Sequence, residues 1–119
     1  MRDHRKLRAF ELADSLVLLT YRVTMDFPRT EQFGLTSQMR RAAISTASNI
    51  VEGCARSSEV EYIRFLEMAY GSVCELDYQG SLAKRLGFIV EPDYESFAAA
   101  AQETAKVLNG LIRSLRSSS

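Results

Sequence analysis

Residues Leu35 to Gln79, LTSQMRRAAISTASNIVEGCARSSEVEYIRFLEMAYGSVCELDYQ, constrain the fold most, because they carry two polar stripes at helical spacing instead of one clean apolar pattern. In the first half Gln38, Arg41, Ser45, Asn49, Glu52 and Arg56 recur every three or four residues and so share one side of a helix. In the second half Glu61, Arg64, Met68, Ser72, Glu75 and Gln79 do the same, while Ile63, Leu66, Tyr70, Val73 and Leu76 form the apolar side. Both helices are therefore two-faced, and each polar stripe needs an explanation.

The first predicted helix runs from about 7 to 26, with Ala9, Leu12, Ala13, Leu16, Thr20, Val23 and Phe27 on its repeat. Its outer face carries Leu18 and Met25, two apolar residues that a lone chain has no need to place in water. Phe27-Pro28 stops this helix, since proline biases the residue before it away from helical backbone. RTEQFG makes a short ordered connection.

Helix two spans about 36 to 56, capped by the Thr36 hydroxyl, and its edge of Met39, Ala43, Thr46, Ala47, Ile50 and Cys54 is small enough to admit a close neighbour. Ser58 and Glu61 match a reciprocal capping box that opens a third helix over 59 to 86. Gly71-Ser72 and Gly80-Ser81 inside it point to contacts too close for a larger side chain, or to a gentle bend, and Gly87 ends it. Pro92 opens a fourth helix over 92 to 116, whose stripe is Tyr94, Phe97, Ala98, Ala101, Ala105, Leu108, Ile112 and Leu115. Four helices on short connections predict one all-α domain, an antiparallel up-down-up-down four-helix bundle over residues 1–119.

Fifteen basic residues balance 15 acidic ones, so total charge implies no bulk attraction to nucleic acid or anionic lipid. Cys54 and Cys74 form no CxxC pair and are expected to be buried thiols in a reducing cytosol. No apolar run spans a bilayer and MRDHRKLR precedes no signal-like segment, which predicts a cytoplasmic protein without a membrane partner.

RRAAIS, the SNIVEG box with Arg56 after it, FLEMAYGS and the Glu75-Leu76 pair resemble the bacterial 23S ribosomal RNA intervening-sequence proteins, also called the four-helix bundle protein family. The likeness extends through Phe27-Pro28, Glu31, Phe33-Gly34-Leu35-Thr36 and Leu86-Gly87-Phe88-Ile89. It implies a homo-oligomer, a ring-like homopentamer, and a family whose molecular role is poorly defined. Similar proteins that act beside a reverse transcriptase in diversity-generating retroelements imply RNA and that polymerase as partners.

Two readings of the polar stripes stand side by side. Gln38, Arg41, Ser45, Asn49, Glu52, Ser72 and Glu75 form either a structural or interfacial seam, with Arg41 paired to Glu52 or Glu75, or a ligand site between helices two and three. Catalysis is disfavoured. His4 is the only histidine and lies outside the bundle, which removes a Glu-x-x-His dimetal centre and a helical Arg/His ribonuclease. Glu75 and Asp77 are two apart and diverge, and neither a phosphate loop nor a nucleophile elbow occurs, so no cofactor and no metal is expected.

Nucleic-acid binding is the competing function. Its candidate residues are Arg2, Arg5, Lys6, Arg8, Arg40, Arg56, Lys84, Arg85, Arg113 and Arg116, modest groups in one chain that five-fold repetition would gather into a belt. The expected function is thus a non-enzymatic oligomeric scaffold for structured RNA, with a protein-binding adaptor as the alternative.

Overall fold

A computed structural model describes residues 2–118. It contains four α-helices, α1 (Arg8–Thr24), α2 (Leu35–Cys54), α3 (Glu59–Arg85) and α4 (Glu91–Ser117), and single 3-10 turns at His4–Lys6 and Arg29–Glu31. Among the described residues there is no strand. Each helix packs on its neighbours in the chain and α4 closes back on α1, giving a rod of 45 × 23 × 19 Å.

Local chemistry sets the helix ends. The Ser58 side chain accepts the Glu61 amide at 3.1 Å, as the capping box predicts, but the carboxylate does not return; Glu61 instead pairs with Arg64 at 3.0 Å. The expected Thr36 cap does not form. Gly34 is the N-cap of α2, and the Glu31 carboxylate accepts the Leu35 amide at 3.0 Å, so an acid from the preceding turn satisfies the helix start.

At the end of α3, Gly87 adopts φ +83° while its amide donates to Lys84 and the Phe88 amide to Ala83. These two bonds are a Schellman motif, which requires the left-handed backbone that glycine adopts without steric penalty. The turn also throws Phe88 against Phe27, ring centroids 5.6 Å apart, and buries Ile89, plugging one end of the rod.

The core follows the predicted stripes with local shifts. Leu16, Met39, Ile50, Leu66, Val73, Leu76, Phe97 and Leu108 are its large members. The sequence reading missed Thr24, Ala42, Tyr62, Phe65, Ala69 and Thr104, all buried. The buried threonines Thr20, Thr24, Thr46 and Thr104 each donate to the carbonyl four residues back at 2.7–2.9 Å. A β-branched residue that bonds its own helix sits in an apolar core without an outside partner.

Two further expectations are corrected. Cys54 is buried but Cys74 is exposed, and both thiols are free. A methyl group on Gly80 would lie 2.3 Å from the Phe97 ring, so that glycine does mark a close approach, whereas Gly71 faces open space.

Candidate functional site

The α2/α3 polar stripes meet, but only part of the seam closes. The Ser45 and Ser72 hydroxyls are 2.9 Å apart, and the Asn49 amide nitrogen donates to the Ser45 carbonyl at 2.9 Å and its hydroxyl at 3.0 Å. These three half-buried groups hydrogen-bond to one another within the chain.

Among the described residues Arg41 pairs with neither Glu52 nor Glu75. Glu52 turns to Arg56, four residues on and just past the end of α2, 3.3 Å away. Arg41 and Glu75 instead line an open groove of about 310 Å³ together with Gln38, Ala42, Ser45 and Gln79. Helical spacing places Gln79 on the polar stripe, yet it is 5% exposed and its Oε1 has no hydrogen-bond partner among the described residues. That polar residue at a core position is the feature its helical spacing did not reveal.

Most candidate nucleic-acid residues are engaged inside the chain. Arg2 donates to the Arg56 carbonyl at 3.0 Å through its guanidinium and to the Cys54 carbonyl at 3.3 Å through its amide, and it covers the Tyr62 ring at 4.0 Å. It therefore satisfies orphan carbonyls at the end of α2 while complementing the helix dipole there. Arg5 pairs with Asp3 at 3.0 Å and Arg8 with Glu103 at 3.0 Å. Arg40 donates to the Thr24 hydroxyl at 2.9 Å above the Tyr21 ring.

Lys84 pairs with Glu91 at 3.0 Å, Arg85 donates to the Ser81 carbonyl at 3.3 Å, and Arg116 pairs with Glu67. Lys6 and Arg113 are exposed. Five of the ten cations, Arg5, Arg8, Arg56, Lys84 and Arg116, are thus paired with an acid of the same chain, and Arg2, Arg40 and Arg85 donate to neutral oxygens.

Electrostatic shifts follow these contacts. Hydrogen bonding to Arg5 holds the Asp3 carboxyl below its usual range, and Arg64 does the same for Glu61. Burial pushes the Cys54 thiol up and the neighbouring Tyr62 phenol up to about 12. All of these keep groups in their ordinary charge state at neutral pH, and none prepares a proton donor or nucleophile there. Among the described residues no cluster of three or more His, Cys, Asp and Glu could hold a metal ion, and no helix is long and apolar enough to cross a membrane.

A second surface lies on the other flank of α2. Tyr21, Phe33, Arg40, Arg41 and Ile44 line an α1/α2 groove of about 350 Å³. Phe33 is 91% exposed, and Leu18 on α1 and Met25 at its C-cap are 57% and 70% exposed. Leu18, Tyr21 and Met25 share one stripe of α1, so apolar side chains continue from that helix into the groove.

Residues 5–110 match the family model described as 23S rRNA-intervening sequence protein. Among solved structures, the chain is similar to a protein of unknown function from the S23 ribosomal protein family of Bacteroides thetaiotaomicron. That likeness has a TM-score of 0.73 at 26% identity, over 88% of this chain and 91% of the other. Among curated proteins nothing matches.

Proposed function

The chain belongs to the 23S rRNA-intervening sequence protein family, and from that premise we propose that it is a non-enzymatic up-down-up-down bundle that assembles with copies of itself into a cytoplasmic interaction scaffold. The observation that carries this reading is the exposed apolar run of Leu18, Tyr21, Met25, Phe33 and Ile44 across α1 and the α1/α2 groove. Scattered apolar residues on a surface are ordinary, but a continuous run beside a groove gains by leaving water. Closed symmetry repeats the face on every copy, and a ring-like homopentamer is the form the family resemblance implies.

Sedimentation at micromolar concentration tests it. Wild type is expected at a multiple of the single-chain mass, and the double variant Phe33→Asp, Ile44→Asp at the single-chain mass with its helical signal intact. A well-folded lone chain in the wild-type sample overturns the reading.

A second reading, binding of structured RNA, is favoured by one observation. Arg40 lies 4.5 Å from the part-exposed Tyr21 ring and Arg85 lies 5.9 Å from the exposed Tyr78 ring. Exposed aromatic rings beside guanidinium groups are platforms on which unstacked bases rest. Fluorescence anisotropy with a labelled RNA hairpin decides it: salt-sensitive binding that weakens in Tyr78→Ala supports the reading, and no binding at low salt removes it. In that second case the assembly is a protein adaptor, of which a reverse transcriptase is the partner class the resemblance suggests.

A further inference from the structure

The α2/α3 groove brings together three side chains whose chemistry is unmatched within the chain. Arg41 and Glu75 carry opposite charges on facing helices and line the same groove, yet neither forms an ion pair with the other or with another described residue. Gln79 is the third, buried in the groove wall with an oxygen that accepts no hydrogen bond. A buried acceptor without a donor costs about 1–3 kcal/mol, and a leucine of similar volume would avoid it. Beside these residues Ser45, Asn49 and Ser72 hydrogen-bond to one another, and among the described residues the buried side-chain polar atom left without a partner is Gln79 Oε1.

We propose that this groove binds a small zwitterion of the α-amino acid class, its carboxylate held by Arg41 and its ammonium shared between Glu75 and Gln79. The guanidinium fork matches a carboxylate with two parallel N–H donors. The ammonium supplies N–H donors to Glu75 and, after a turn about the soft terminal torsion of the carboxamide, to the Gln79 oxygen.

Charge decides against simpler ligands. A bare anion bound at Arg41 is left facing the Glu75 carboxylate, and a bare cation at Glu75 is left facing the Arg41 guanidinium. A molecule with both signs on adjacent carbons meets both walls. The volume, about 310 Å³, holds an amino acid with a side chain reaching the Gln38 carboxamide, which favours an uncharged polar one. Because the groove is open and both of its charges are solvated before binding, affinity belongs in the range of about 1 mM.

The test is a titration of the ¹⁵N-labelled full chain with L-glutamine, read from amide shifts. Saturable shifts confined to residues 38–45 and 75–79 are expected, with acetate and methylammonium, each half of the zwitterion, bound at least about tenfold more weakly. Glu75→Gln and Gln79→Leu should each weaken L-glutamine about tenfold, while both keep the wild-type spectrum elsewhere and the wild-type sedimentation. Gln79→Leu adds an internal control, since it removes an orphan acceptor and should not lower stability. The proposal is overturned if the shifts rise linearly without saturating, if acetate or methylammonium reproduces them, or if Gln79→Leu binds L-glutamine as tightly as wild type.

Discussion

Replacing Gly80 with alanine should destabilise the fold although alanine is the better helix former. The new methyl carbon would lie 2.3 Å from Cε2 of Phe97 and 2.8 Å from Cδ2. Ordinary carbon contacts sit near 3.6 Å, so the ring must retreat by about 1.3 Å. Phe97 is completely buried, and a packed interior offers no space for that movement. Overpacking of this kind costs about 1–3 kcal/mol, against roughly 1 kcal/mol gained from propensity.

Gly71→Ala is the matched control in the same helix. Nothing lies within 4 Å of its added methyl, so it should gain about 0.5–1 kcal/mol. Guanidinium denaturation at matched chain concentration, which holds any assembly contribution fixed, should therefore separate the two variants by about 2 kcal/mol. A double-mutant cycle with Phe97→Leu adds a sharper criterion. The smaller side chain relieves the clash, so the cycle should give a favourable coupling above about 1 kcal/mol. If Gly80→Ala proves as stable as Gly71→Ala, the helices do not approach as closely as the contact requires, and the reasoning fails.

Three other outcomes follow from the same contacts. Burial raises the Tyr62 phenol to about 12 from an unfolded value near 10, so its contribution is complete below pH 10 and is lost as pH rises toward 12. Wild type should therefore lose on the order of 2–3 kcal/mol more than Tyr62→Phe over that window, by denaturant midpoint at each pH, and parallel curves would refute the buried phenol. Arg2→Ala removes a guanidinium lid from Tyr62 and from the end of α2, at about 1 kcal/mol; thiol labelling of buried Cys54 should speed by about fivefold while exposed Cys74 labels as before. Ser58→Ala deletes the one side-chain cap of α3 and should cost about 1 kcal/mol in thermal unfolding, whereas Thr36→Ala, which removes no cap, should cost less than half of that.

Much of the architecture is legible from short-range rules. Pro28, Ser58, Gly87 and Pro92 act on backbone within a turn of themselves, and each helix boundary beside them lies within a few residues of its prediction. The Thr36 cap failed because the helix starts one residue earlier: Gly34 is the N-cap, its carbonyl already takes the Gln38 amide and the Glu31 carboxylate takes the Leu35 amide, and helical spacing carries no record of those partners. The candidate site was half legible. Periodicity put Arg41, Ser45, Ser72 and Glu75 on facing stripes, and the structure brings all four to one seam. Periodicity also put Gln79 on the polar stripe, and nothing local distinguishes it from Glu75 one turn earlier.

By itself the sequence determined four amphipathic helices, their ends and their order, because those depend on backbone preferences and on apolar spacing within single elements. The tertiary structure decided how far each helix rotates about its axis and how near its neighbours come. That rotation puts Gln79 in the wall, leaves Arg41 and Glu75 unpaired across a groove, and sets Gly80 against Phe97 while Gly71 meets solvent. A turn of a few tens of degrees exchanges such residues between core and surface without altering any local preference, so only the packed whole could select among them.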